Sequence, residues 1–206
     1  MTGMRERKRQ ERHDAIIDAA SRLFQKKGFE QTTMEEVAAE ADVSAPTLYR
    51  YFPRKSELMI GFFWKERERL AGALDAFHKN SASLDAVSAV AGLLLLNNSG
   101  VGTRAQRKLW REAMAALLRM HDTPDDAFRA IKRYFEKRIE RMLERLHRDG
   151  RLRKDTPLPA LVNVLYAVAA ENYYRVLANE FRNAEEERAA MEEQVSAILK
   201  GWLPRG

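Results

Sequence analysis

The chain has 206 residues, 45% of them hydrophobic and 32% charged, with no cysteine and a formal charge of +6. That length supports one or two domains with real cores. The lack of cysteine excludes disulfides, thiolate zinc sites and a cysteine nucleophile, and no run of about eighteen apolar residues offers a transmembrane helix. The opening MTGMRERKRQERHD has no apolar stretch of the kind a secretory signal needs, so a cytoplasmic protein without a membrane partner is expected. The basic balance suits a polyanionic partner without demanding one.

Helical periodicity runs through nearly the whole chain, and no alternating strand pattern interrupts it. The first helix is predicted over about residues 9–27, where Ile16, Ala19, Ala20, Leu23 and Phe24 form one apolar stripe and Gly28 stands where a left-handed C-cap belongs. Phe29 then folds back onto the end of that stripe. Thr33 and Glu36 have the Thr-x-x-Glu spacing of a capping box and open a second helix with Met34, Val37, Ala38 and Ala41 on its apolar face. Asp42 and Val43 make a tight turn. Ser44 N-caps a short third helix, with Pro46 in its first turn, Leu48 and Phe52 facing inward, and Pro53 ending it.

Three helices, the last two short and joined by a tight turn, have the form of a helix-turn-helix. A third helix this short cannot stand alone in water. Val43, Leu48 and Phe52 hold it down, which leaves Ala45, Pro46, Thr47, Tyr49, Arg50 and Tyr51 facing outward. Small residues at its start allow deep entry into a major groove. The hydroxyls of Thr47, Tyr49 and Tyr51 suit phosphates, and Arg50 suits a phosphate or a guanine edge.

The pattern AAxxLFxxxGFxxTTMxxVAxxADVSxxTLYRYFPxKxEL over about residues 9–60 resembles the DNA-binding segment of the TetR family of transcriptional regulators. The resemblance implies an all-α homodimer with a three-helix N-terminal helix-turn-helix domain, residues 1–54, and a roughly six-helix domain, residues 55–206, for dimerisation and effector binding. It implies that Thr33 opens the second helix against a phosphate. It further implies that Ser44, Ala45, Pro46, Thr47, Tyr49 and Tyr51 form the DNA face, and that Lys55 meets the DNA backbone from the start of the fourth helix. Arg54 stands where a good N-cap would precede that lysine, a departure from the family pattern. For the basic arm, residues 1–12, two readings stand: a solvated tail, or a segment that reaches phosphates or the minor groove.

The fourth helix is predicted over about residues 55–78, the fifth over 84–97 before the loop NNSGVGT, and the sixth over 104–120, with Thr123 and Pro124 marking a break. The seventh, residues 125–149, carries Phe128, Ile131, Phe135, Ile139, Met142 and Leu146 as its core stripe. Basicity concentrates here. Residues 129–154 hold eleven basic and four acidic side chains, against eleven and nine in residues 1–56. A basic row of Arg133, Lys137, Arg141 and Arg145 beside Glu136, Glu140 and Glu144 reads first as i, i+3 pairing on an exposed helix. A surface for an anionic ligand or acidic partner is the other reading.

Gly150 stops the seventh helix, and Asp155 or Thr156 is placed to start the eighth. The eighth, residues 157–181, is apolar or aromatic nearly all round, so one side belongs to the subunit core and the other to a partner subunit. With the ninth, residues 185–202, it would build an isologous twofold four-helix interface. A twofold dimer then implies a pseudo-palindromic double-stranded DNA operator.

An effector pocket would lie among the fourth to eighth helices, apolar with a few polar groups. Trp110, Met114, Phe128, Phe135, Asn163, Tyr166, Asn172 and Tyr173 are its candidates, although aromatics and Met at helical spacing also build plain core. Asn172 stands out, because an amide on a buried helix needs partners. NNSGVGT lacks Gly-Lys-Ser/Thr and follows no strand, so it is no phosphate loop.

His13, His78, His121 and His147 form no HExxH or i, i+4 pair, and there is no G-x-S-x-G. In HDTPDD, Asp125 and Asp126 suit a helix dipole as well as any chemistry. The expectation is therefore a non-enzymatic, sequence-specific transcriptional regulator, a repressor released from its operator by an unidentified small molecule, with no cofactor and no metal site. A metal-responsive or effector-independent DNA-binding regulator is the alternative.

Overall fold

The computed structural model describes residues 2–119 and 127–204. Among the described residues the chain is all α, without a strand. Its helices are α1 (Thr2–Lys27), α2 (Met34–Glu40), α3 (Ala45–Tyr51), α4 (Lys55–Asn80), α5 (Ala86–Asn97), α6 (Arg104–Arg119), α7 (Ala127–Arg148), α8 (Leu158–Ala178) and α9 (Ala184–Leu199), with a 3-10 turn at Ser81–Ser83. They form two compact units. The first comprises Met1–Arg69 and Thr103–Phe128, the second Leu70–Gly102 and Arg129–Gly206. α6 thus belongs to the unit that contains α1 to α3, and α4 contributes residues to both.

In the first unit Ile16, Ala19, Ala20 and Phe24 are buried along one stripe of α1. Gly28 ends the helix at φ +89°, a backbone that a residue with a Cβ takes only with strain. The Phe29 ring meets Phe24 edge-on, centroids 5.3 Å apart. Thr33 forms the expected capping box: Glu36 N–H donates to its hydroxyl oxygen at 3.2 Å, and Thr33 N–H donates to the Glu36 carboxylate at 2.8 Å. The short α3 has almost no core of its own, and Leu48 with Phe52 supplies what it has. Trp110 of α6 completes an aromatic cluster, 5.6 Å from Phe62 and 5.1 Å from Phe63.

Residues 2–8 are helical, earlier than the predicted start near residue 9. Ordinary helix chemistry explains it. Arg7 lies 3.4 Å from Glu11, and Gln10 donates to Asp14 at 2.9 Å, pairs that each favour a helix by a few tenths of a kcal/mol.

The core of the second unit brings together Leu74, Val90, Leu93 and Leu94 with Ile139, Met142, Leu143 and Leu146, and with Leu165, Met191, Val195 and Leu199. α5 packs along α9, and α8 along α9. α5 begins at Ala86, after Asp85 caps the Ser88 amide at 2.9 Å, two residues past the predicted start. α8 stops at Ala178, short of the predicted residue 181, because Asn179 adopts the left-handed conformation at φ 63°. Neither Asp155 nor Thr156 caps α8. Asp155 pairs with Arg153 at 2.6 Å, and the Thr156 hydroxyl donates to the Arg153 carbonyl. α9 starts from Asn183, which caps the Glu186 amide, and ends at Leu199 rather than at Trp202.

The basic helix α7 departs from the predicted i, i+3 pairing. Among the described residues its shown ion pair within the helix is Lys132 with Glu136, at i, i+4. Its central arginines instead grip the end of α4. Arg138 donates to Asp75 at 2.7 Å and to the Tyr134 hydroxyl at 2.9 Å. Arg141 lies 3.8 Å from Asp75, and Arg145 donates to the His78 carbonyl and to Ser81 Oγ. Helical spacing puts Arg138, Arg141 and Arg145 on one face, and the carboxylate with the open carbonyls of an ending helix gives that face its partners. The Thr123–Pro124 break and the HDTPDD cluster lie outside the described residues.

Candidate nucleic-acid interface

α3 is positioned from both ends. Ser44 accepts the Thr47 amide at 3.4 Å and shares a hydroxyl–hydroxyl hydrogen bond with Thr47 at 2.9 Å. At the other end Phe52 is buried, and its ring lies 5.0 Å from the ring of His13. Between them Leu48 is fully buried. The opposite side is open: Ser44, Pro46, Tyr49 and Arg50 are exposed, and Ala45, Thr47 and Tyr51 half-buried. Every residue expected on the reading face is therefore accessible. The Arg50 guanidinium lies 5.9 Å from the Tyr51 ring centre, within cation–π range.

Tyr49 and Lys55, two of the predicted contact residues, have partners on other segments of the chain. The Tyr49 hydroxyl donates to Glu35 of α2 at 3.2 Å. Desolvation, and then the neighbouring Glu35 carboxylate, push the phenol above its ordinary pKa, so it remains a donor. The Lys55 ammonium donates to three carbonyls, Phe29 at 2.9 Å, Thr32 at 3.0 Å and Glu30 at 3.2 Å, and sits 4.4 Å from the Phe29 ring centre. An ammonium has three protons, so each is used within the fold, on the segment that leads into α2. Thr33 is exposed at the start of α2. Beside it Lys27, then the Thr33 backbone and side chain, hold the Glu36 carboxyl down at about 2.

The arm adds a concave surface. Glu6, Arg9, Gln10 and His13 of α1 and Arg50 and Tyr51 of α3 line a recess of about 690 Å³. Two guanidiniums and a phenol beside the reading helix suit a backbone phosphate.

The predicted effector residues divide between the units. In the first, Trp110 is buried and Met114 half-buried. The buried Arg67 guanidinium, which sequence reasoning missed, lies 4.9 Å from the Phe63 ring centre and 5.7 Å from that of Trp110. In the second, Phe135 is buried with its ring 6.3 Å from that of the half-buried Tyr166. Asn163 is exposed and Tyr173 buried. Asn172 is fully buried and donates to the Val168 carbonyl at 2.9 Å and to Gln194 of α9 at 2.6 Å, while its own Oδ1 accepts from no group among the described residues. The Phe128 side chain lies outside the described residues. Among the described residues no group of three or more His, Asp or Glu could hold a metal, and no helix is long and apolar enough to cross a membrane.

Comparison with known proteins gives the interface a context. Residues 16–61 match the family model described as bacterial regulatory proteins, tetR family. The chain is similar to the HTH-type transcriptional repressor KstR of Mycolicibacterium smegmatis, 42% identical over 65 residues, 32% of either chain. It is 31% identical over 86 residues to the HTH-type transcriptional regulator TcmR of Streptomyces glaucescens, 42% of this chain and 38% of that one. The match thus spans about a third of the length of these relatives. In fold it is similar to a TetR-family transcriptional regulator of Pectobacterium atrosepticum, with TM-score 0.71 and 18% identity over 95% of this chain and 96% of that one. The transcriptional regulator FadR of Bacillus subtilis, solved in complex with stearoyl-CoA, has TM-score 0.61 and 16% identity over 91% and 97%.

Proposed function

We propose that this chain, whose residues 16–61 match the model of the tetR family of bacterial regulatory proteins, is a homodimeric transcriptional repressor released from its operator by a small molecule. The observation that carries the reading is the exposed face of α3. Ser44, Pro46, Tyr49 and Arg50 stand exposed on a helix whose buried anchors are Leu48 and Phe52. A short helix that spends one side on anchoring and presents hydroxyls and a guanidinium on the other is built to be read against.

α8 supports the dimer. Val164 and Tyr174 are 46% and 44% exposed, on the stripe that also carries the exposed Ala167 and Ala178. Large apolar groups beside small ones suit close packing against a second copy. Two α3 helices related by a twofold axis then meet successive major grooves of a pseudo-palindrome. The effector acts by preferring the conformation that does not fit the operator, and that preference sets the size of its effect.

A selection of genomic fragments with purified protein, followed by footprinting at fixed salt, tests the reading. The expected result is a protected pseudo-palindrome whose binding weakens in Thr47→Ala. Enrichment of no sequence above salt-sensitive background binding would remove it.

A further inference from the structure

We propose that Glu112 of α6 is a positioning residue for DNA binding: its carboxylate fixes the corner between α1 and α2, and through it the placement of α2 and α3. The proposal rests on the DNA-binding reading above.

The corner is residues 28–32. α1 ends with the Gly28 amide donating to the Phe24 carbonyl at 2.9 Å. This single-bond left-handed ending leaves the next amide, that of Phe29, without a helical acceptor. Phe29 is buried, and a buried N–H left unpaired is costly. Glu112 supplies the acceptor: the Phe29 N–H donates to its Oε2 at 2.9 Å. The carboxylate is itself largely enclosed, its side chain 15% exposed, with the Lys108 ammonium 4.0 Å from its other oxygen.

The rest of the corner is held as firmly from the other side. The three carbonyls of Phe29, Glu30 and Thr32 take the Lys55 ammonium, and the Thr32 hydroxyl donates to the Gly28 carbonyl at 2.8 Å. A cation from α4 therefore binds the carbonyl side of the corner, and an anion from α6 binds its open amide. Both are charge-assisted hydrogen bonds, the stronger kind. The corner runs directly into Thr33, the N-cap of α2. From α2 only the tight turn at Asp42, with φ 53°, separates α3. Where the corner sits is where the reading helix starts from. Glu112 lies 83 positions after Phe29, and it ties the reading head to a helix that also carries Trp110 and Met114.

The test uses the full-length protein, the operator recovered by the selection above, and the variants Glu112→Ala and Glu112→Gln. Operator affinity, binding to unrelated DNA at low salt, thermal stability and hydrogen exchange at the Phe29 amide are measured on each. Glu112→Ala is expected to speed Phe29 exchange by about tenfold or more and to weaken operator binding by roughly tenfold while binding to unrelated DNA stays unchanged. Glu112→Gln keeps an oxygen acceptor and is expected to stay within about threefold of the parent. The proposal is overturned if Glu112→Ala binds the operator like the parent, or loses affinity only in proportion to its unfolded fraction. A parent protein that selects no operator removes the premise and the proposal together. A parent that binds while Glu112→Ala is indifferent removes the proposal alone.

Discussion

On the proposed DNA-binding reading, the Tyr49 hydroxyl serves two acceptors in turn. In the free protein it donates to Glu35 across the α2–α3 pair, and on an operator its natural acceptor is a phosphate. Glu35 thus keeps the ring posed without burying it. Tyr49→Phe is expected to weaken operator binding by about thirtyfold for a dimer, through the loss of roughly 1 kcal/mol per subunit, read by titration at fixed salt. Equal affinity would take Tyr49 off the contact surface. Glu36 gives a prediction in pH. Its carboxyl is lowered from 4.5 to about 2, first by the bond from Lys27 and then by those from Thr33. A depressed folded pKa means that the unfolded chain binds the proton first. The stabilisation from Glu36 is therefore complete above about pH 4.5 and lost as pH falls toward 2. Melting temperatures between those limits should fall less steeply in Glu36→Gln than in the parent, and parallel curves would mean that this carboxylate contributes nothing in that range.

Among elements, α1 is the one whose extent matters most for function. The arm is legible as basic, but a charge count cannot say whether it is coil or helix. The structure resolves that in favour of helix, because its charges alternate at spacings that pair along a helix. A helical arm brings Arg9 to the recess that also holds Arg50 and Tyr51. If that recess takes a phosphate, Arg9→Ala should reduce the slope of log affinity against log salt by about 1 per subunit, near 2 for a dimer, and weaken binding alike on all sequences. An unchanged slope would leave the arm in solvent. Arg9 is exposed, so the thermal stability of this variant serves as the control.

For the whole molecule, the open stripe on α8 is the main consequence. Exposed Val164 and Tyr174 are awkward for a lone chain and apt for a twofold interface. Replacing Val164 with Glu and Tyr174 with Arg is expected to give a monomer in sedimentation and to abolish footprinting of a palindromic site, because a single α3 loses the second half-site. A double variant that remains dimeric would put the interface elsewhere.

What the sequence determined by itself is what a few neighbouring residues decide among themselves. The capping box of Thr33 and Glu36, the Gly28 stop and the Ser44 cap all lie within four residues of their partners. Backbone geometry fixes such pairs before any tertiary contact forms, so these helix ends were readable in advance. Some local signals were missed, the caps at Asp85 and Asn183 and the left-handed Asn179 among them, because apolar periodicity runs past a cap without marking it. The tertiary structure alone decided where the charges went. Arg138 meets Asp75 across 63 positions, Lys55 meets Phe29 across 26 and Glu112 meets Phe29 across 83. A long cation can satisfy its charge along its own helix or on another one, and only the packing of the helices determines which acceptor comes within reach.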